Sequence, residues 1–353
     1  MNIRLKKVKA LLEKKQLDGI VILTDFNRRY LSGFTGSSGG LLITKNKNIL
    51  LTDFRYIEQA TKQAPDFQII QHTKPLLDEM VEQFKTSHLS NIGFESHLVS
   101  YDTFLNLNRG RHDLITLGDE IEKIRMVKDD NEIQSIDKAA KIVDDAYHYI
   151  LKIVEPGMTE KEVKAHLESK MLHLGSEKTS FDTIVASGYR GALPHGVATD
   201  KVIEKGDMVT LDFGAYYDGY ASDITRTFAV GEPSAKMKEI YEIVLKSQET
   251  AVAQIRPGMT GKEIDSIARK IIEDAGYGSN FGHSLGHGVG LNVHEMPNLS
   301  QKSHQVLEPN HVVTIEPGIY VEGVGGVRIE DDILITENGG RRFTNSTKDL
   351  IIL

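Results

Sequence analysis

One phrase of this chain is written twice. EKGDMVTLDFGAY, Glu204 to Tyr216, returns as EPNHVVTIEPGIY, Glu308 to Tyr320, at a constant offset of 104 (308 − 204 = 104). The offset lays Val209-Thr210-Leu211-Asp212 over Val313-Thr314-Ile315-Glu316, Gly214 over Gly318 and Tyr216 over Tyr320. An acidic side chain therefore ends an apolar strand in both copies. Each copy is followed by a second apolar segment carrying another carboxylate, Asp223 in YASDITRTFAV and Glu330 in GVRIEDDILIT, at spacings of 11 (223 − 212) and 14 (330 − 316) residues. Upstream, Glu155-Pro-Gly-Met-Thr-Glu-Lys-Glu-Val163 recurs as Arg256-Pro-Gly-Met-Thr-Gly-Lys-Glu-Ile264, at an offset of 101 (256 − 155). In both, Pro-Gly ends a helix, and a Thr three residues before a Glu (Thr159 and Glu162, Thr260 and Glu263) reads as a capping box opening the next. A duplicated domain with pseudo-twofold symmetry follows, each half running helix, PGMT, helix, strands, and its four carboxylates form one shared site.

The 353 residues exceed a typical single domain, so two domains are expected. Residues 1–120 read as a smaller α/β domain. Ile3, Leu5, Val8, Leu11 and Leu12 fall at helical spacing, and a β-branched run follows from Gly19 to Leu23. Asn27 to Gly40, NRRYLSGFTGSSGG, reads as a Gly/Ser-rich connection, and LLIT and NILLTD as a hairpin around Lys45-Asn46-Lys47-Asn48. The Gly-rich stretch lacks the G-x-x-x-x-G-K-[ST] pattern and leads into a strand, which argues against a phosphate loop. Beyond it helices alternate with strands, the pattern of an α/β sandwich. Residues 121–154 form a linking helical region, with Ile124, Val127, Ile133, Ile136, Ala140, Val143, Ala146 and Ile150 on one face.

Composition narrows the chemistry. A formal charge of −8 leaves no dense basic face for phosphate backbones, so nucleic acid is excluded as a partner. With no Cys there is no thiolate nucleophile, disulfide framework or Cys-bound metal, which favours a reducing compartment. The basic, amphipathic start is unlike a signal peptide, and no segment approaches the ~18 apolar residues of a membrane span, so the cytoplasm is expected.

Clustered, partly buried carboxylates repel one another, and the repulsion is relieved by protons or by a cation. The run Phe281-Gly-His-Ser-Leu-Gly-His-Gly-Val-Gly-Leu-Asn-Val-His294 supplies His283, His287 and His294 beside them. Oxygen ligands with one or two imidazoles move the preference from Mg2+ or Ca2+ towards Mn2+, Co2+ or Zn2+. The run is not H-E-x-x-H, so it does not indicate a single-zinc helix site. Two cations sharing carboxylates give two-metal hydrolase chemistry, which activates water and polarises a carbonyl or phosphoryl oxygen.

The motifs TLDFGA, ASDITRTF, GHSLGHGVG, TIEPGIY and GVRIEDD resemble those of the creatinase/aminopeptidase P/prolidase family, and residues 1 to about 120 resemble that family's N-terminal domain. The resemblance implies an α+β chain whose residues 155–353 form a pita-bread metallopeptidase domain. It implies metal ligation by Asp212, Asp223, His287, Glu316 and Glu330, with Asp223 clamping one of two ions, Mn2+ foremost, and Asp212 and Glu330 shared between them. It implies catalytic roles for His195 in GALPHG and His294 in VHEMP as imidazoles that contact substrate and stabilise the oxyanion, and for Glu316 as proton shuttle. Arg328 is expected to partner a ligand, and His283 to line the pocket beyond the scissile bond. The implied reaction is hydrolysis of short Xaa-Pro peptides by a homodimer.

The compact length leans to a dipeptidase, with an Xaa-Pro aminopeptidase as the alternative. In some short prolidases an Arg follows the H-E-x-P phrase, whereas Asn298 stands here. A metal-dependent phosphoesterase would need basic residues beside the carboxylates, and Arg328 alone offers that. A non-catalytic relative would have lost ligands, and none is missing.

Overall fold

The computed structural model describes residues 2–353 and divides after Arg125 into two compact units. In the first, a six-stranded sheet runs in the order Gln68–Gln71, Asn48–Thr52, Gly40–Thr44, Gly19–Ile22, Asn91–Phe94, Asp113–Thr116. The predicted hairpin is antiparallel, with Leu41 opposite Leu50, and the outer strands pair in parallel.

Two readings of the chain are corrected. Asn27 to Gly40 is not all connection, because a helix spans Asp25–Ser32 and ends at Gly33, whose φ of 78° suits glycine. Its start is held by a distant residue: Glu95 accepts from the backbone N–H groups of Leu23 (2.7 Å) and Thr24 (3.1 Å) and from Asn27 Nδ2 (2.7 Å). Such a cap cannot be read from local spacing. The Gly/Ser stretch beyond is pinned by the Arg28 guanidinium, which donates to the carbonyls of Gly36 (2.6 Å) and Gly39 (3.0 Å). The linking region is likewise two helices, Glu120–Met126 and Asp130–Ile150. They are separated because Asp129 opens the second with a capping box to Glu132, while the Lys128 N–H turns away to Asn310 O (2.9 Å).

The second unit has two cores, one per repeat. Each half presents a long helix (Asp130–Ile150, Ala235–Gln254) and a fourteen-residue helix (Glu160–His173, Gly261–Asp274). Both shorter helices carry the predicted capping box: the Thr159 and Thr260 amides donate to Glu162 and Glu263 at 2.7 Å, and the glutamate amides return to the threonine Oγ1 at 3.2 Å. The symmetry extends to the loops, where Gly157 N donates to Ile203 O and Gly258 N to Leu307 O, both at 2.9 Å. Thr159→Ala and Thr260→Ala are expected to destabilise the fold by about 1 kcal/mol each, the usual cost of losing an N-cap side chain. Urea unfolding checks this, and a cost confined to one half would contradict equivalent caps.

The strands converge at the middle. Ile184–Ser187, Asp207–Phe213 and Ile224–Val230 make one sheet, with Asp212 opposite Thr225. Val312–Ile315 pairs with Asp331–Thr336, Ile315 opposite Asp331, inside a five-stranded sheet. The halves are stitched where these sheets meet: Glu330 N donates to Thr225 O (3.1 Å), Asp223 N to Asp332 Oδ2 (2.8 Å) and Thr227 Oγ1 to Arg328 O (2.9 Å). Behind this seam lies Arg226, fully buried and donating to Asp331 Oδ1 (2.7 Å) and to the carbonyls of Ser346, Thr347 and Glu330. Burial pushes the Asp331 carboxyl up, yet Arg226 and Lys348 hold it below the ordinary range. That ion cluster fixes the backbone carrying Glu330.

Candidate metal centre

The five expected ligands lie on or directly beside strands in the second unit, and all five line one cavity of about 540 Å³ together with His195, His283, His294, Tyr320 and Arg328. The sequence-predicted residues are thus brought together. Asp223, His287 and Glu330 lie closest, each offering a ligand atom within 4.8 Å of the others. His287 Nε2 stands 3.4 Å from Glu316 Oε1 and 3.7 Å from Asp223 Oδ2. Its orientation is built in, because Nδ1 contacts Gly288 O (3.1 Å) and the backbone N–H donates to Thr314 Oγ1 (3.0 Å). A carbonyl only accepts, so Nδ1 carries the proton and Nε2 presents its lone pair.

Burial, reinforced by neighbouring carboxylates, raises Asp223 and Glu330 well above the ordinary carboxylate range. Burial also raises Glu316 to about 8 against the opposing pull of Arg328, and depresses His287 to about 4. Three acids held so that they resist ionisation, beside an imidazole that resists protonation, form an acceptor-rich pocket whose lining guanidinium, Arg328, is paired with Asp212. The oxygens Asp212 Oδ1, Asp223 Oδ1 and Glu330 Oε1 are buried with no hydrogen-bond partner. Orphaned buried acceptors are costly. Bound divalent cations would satisfy such acceptors, and the mixed carboxylate and imidazole donors suit Mn2+, Co2+ or Zn2+.

Arg328 partners Asp212, as expected. It is 3% exposed, and its Nη2 lies 2.5 Å from Asp212 Oδ2. It also donates through Nε to Thr225 Oγ1 (3.1 Å) and through Nη1 to Tyr320 Oη (2.8 Å) and Pro194 O (3.2 Å). The last bond holds the loop that carries His195 to the cavity rim. His283 packs edge-on to Phe281, contacts Ser284 O through Nδ1 (2.8 Å) and meets Tyr320 Oη through Nε2 (2.9 Å). His294 sits with its ring centroid 4.3 Å from that of His287.

Sequence reasoning missed Tyr320, Thr225 and Asp332. Tyr320 joins Arg328 to His283, and Thr225 Oγ1 donates to Glu330 Oε2 (2.6 Å). Asp332 accepts the Asp223 amide. The repeat could have flagged Tyr320 as the twin of Tyr216, and the consecutive acids Glu330-Asp331-Asp332 could have flagged Asp332. For Thr225 there was no signal.

A cavity ringed by carboxylates and imidazoles on a pita-bread scaffold defines a metal-dependent hydrolase. The profile of Metallopeptidase family M24 matches residues 134–337, and that of the Creatinase/Prolidase N-terminal domain matches residues 4–127. The chain belongs to the M24 metallopeptidases and is a peptidase. It is 43% identical to an Xaa-Pro dipeptidase of Pyrococcus horikoshii over 99% of each protein. Among solved structures it is similar to an Xaa-Pro dipeptidase from Bacillus anthracis (48% identical, TM-score 0.97, 99% of each chain covered). It is also similar to an X-Pro aminopeptidase from Thermotoga maritima (40% identical, TM-score 0.91, 99% of each chain covered).

Proposed function

We propose that the chain is an Xaa-Pro dipeptidase of prolidase type holding two divalent cations, Mn2+ foremost with Co2+ or Zn2+ as alternatives. The observation that carries this reading is the convergence of Asp212, Asp223, His287, Glu316 and Glu330 on one cavity, in a chain so similar to an Xaa-Pro dipeptidase. Asp223 rather than Asp212 stands at the junction with His287 and Glu330, since Asp212 has already given one oxygen to Arg328. This differs from the sharing implied by the family resemblance. When bound, the cations act as Lewis acids that lower the pKa of water and polarise the scissile carbonyl.

The chain's own side chains do the rest. Glu316 carries a proton from the nucleophilic water to the leaving proline nitrogen, a role suited to a carboxyl that burial has made more basic. His195 and His294 face the same cavity and donate to the carbonyl oxygen as its charge develops. An Xaa-Pro bond has no N–H. Recognition therefore falls to the ring, and His283, tilted at 55° against Tyr320 with ring centroids 5.5 Å apart, offers an aromatic wall for it. Among the described residues Arg328 is the sole Lys or Arg lining the cavity and is spent on Asp212, which disfavours a phosphoesterase, whose anionic substrate needs a free cation.

Asn298 at the cavity wall favours the second reading, an Xaa-Pro aminopeptidase acting on longer peptides, because it leaves the carboxylate of a dipeptide without an Arg. The experiment is dialysis against chelator followed by assay of Ala-Pro and Ala-Pro-Ala with and without Mn2+. Mn2+-dependent cleavage of Ala-Pro with Ala-Pro-Ala spared is expected. The reverse preference would establish the aminopeptidase, and inertness towards both would overturn the Xaa-Pro reading. A cytoplasmic homodimer completes the proposal, resting on the Cys-free composition and the resemblance. Among the described residues no helix is long and apolar enough to cross a membrane. Sedimentation at twice the chain mass is expected.

A further inference from the structure

Lys128 is a lysine with 1% of its side chain exposed, and its Nζ lies 2.8 Å from Glu295 Oε1, itself 7% exposed. A buried ion pair is expensive to assemble, so its position calls for explanation. Glu295 directly follows His294 and turns back on the loop that leads to it. Its Oε2 accepts from Asn292 N (3.3 Å), and a Cβ added at Gly290 would meet Oε1 at 2.3 Å, so the turn closes tightly over the carboxylate. The same turn is tied to the other half, because Gly290 O accepts from Ala221 N (2.8 Å), two residues before Asp223, and Leu291 O from Tyr216 Oη (3.3 Å). Four residues beyond Lys128, Glu132 Oε1 accepts from Tyr220 Oη (3.0 Å). Residues 128–132 thus grip the His287–His294 turn with one charged side chain and the strand leading to Asp223 with another.

We infer that Lys128 is a positioning residue for the hydrolytic reaction: through Glu295 it sets where the His294 imidazole meets the substrate carbonyl. Nothing in its own place touches the cavity, so its effect is transmitted. The backbone N–H of Lys128 is fixed on Asn310 O (2.9 Å), which anchors the side chain's root to the stretch leading into the Glu316 strand. A flexible, compact ammonium on a rooted stem can reach a single buried oxygen. The inference rests on the proposed Xaa-Pro chemistry only for its activity assay.

The test uses the full-length protein. Lys128→Met keeps an unbranched side chain one atom shorter and removes its charge, and kcat/KM for Ala-Pro is expected to fall about 100-fold, the scale of an ångström-sized misplacement. In a His294→Ala background the same substitution is expected to cost less than about 3-fold, because the group it positions is gone. Equal losses in both backgrounds would show a merely structural role and overturn the inference, as would no loss in either. If Lys128→Met fails to fold, Lys128→Met with Glu295→Gln removes both charges together and is put through the same comparison. An activity-independent readout is the long-range 1H–15N spectrum of the histidine rings in metal-free protein. The ring signals of His287 and His294 are expected to move in Lys128→Met while that of His283, held by Ser284 and Tyr320, stays. Unmoved His294 signals would overturn the inference even were Ala-Pro not a substrate, and a wild-type enzyme inert towards Ala-Pro would count against the substrate reading alone.

Discussion

Asp223→Asn is expected to abolish peptide hydrolysis while leaving the fold intact. The substitution keeps the shape of the side chain and its backbone bond to Asp332, but replaces a charged donor that faces His287 and Glu330 with a neutral amide. Loss of an outer partner of a metal ligand typically costs about 10–100-fold in affinity or activity, so loss of a ligand is expected to exceed that range. The fold should gain rather than lose stability without metal. Burial and the charges of Glu330 and Asp212 already disfavour the ionised Asp223, and the amide removes that repulsion. Steady-state assay in saturating Mn2+, with a thermal melt of the metal-free variant, measures both. Full turnover would remove Asp223 from the metal site.

The second large effect is on stability against pH. Glu316 is raised from 4.5 to about 8 in the folded protein, chiefly by burial, and Asp223, Glu330 and Asp332 are raised for the same reason. Between the unfolded and folded values the folded chain holds protons that the unfolded chain has released. Metal-free protein therefore loses stability as pH rises through that window. The buried imidazoles work in the opposite direction: His283, His287 and His311, each lowered from 6.5 to about 4 by burial, cost stability as pH falls from 6.5 towards 4. The two sets oppose each other below pH 6.5 and only the carboxylates act above it. The melting temperature of metal-free protein is expected to drop between pH 6.5 and 8, and the increment given by Mn2+ to grow over the same interval. A metal-free melting temperature that rose across the interval would mean that the carboxylates do not sit together uncompensated.

Much of this site was legible because the chain repeats itself. The 104-residue offset pairs Asp212 with Glu316, and the structure sets both at strand ends on one cavity. The capping boxes at Thr159 and Thr260 were equally readable, being signals contained within four residues. What escaped depends on long-range contacts. The helix Asp25–Ser32 owes its start to Glu95, about seventy residues on, and the break at Lys128 reflects a bond to Asn310. Likewise Tyr320 gains a role only because Arg328 and His283 reach it from other strands. Periodicity sees one face of one element, whereas these features belong to the places where elements meet.

We propose that Asp212, Asp223, His287, Glu316 and Glu330 together hold two divalent cations. Crystals of the protein loaded with Mn2+, measured at the manganese absorption edge, test it most directly. Two anomalous peaks are expected in the cavity lined by Asp212, Asp223, His287, Glu316 and Glu330, of unequal occupancy at limiting metal because His287 gives one side an imidazole that the other lacks. An empty cavity in Mn2+-saturated crystals would contradict it, and a single peak at saturation would refute the pair.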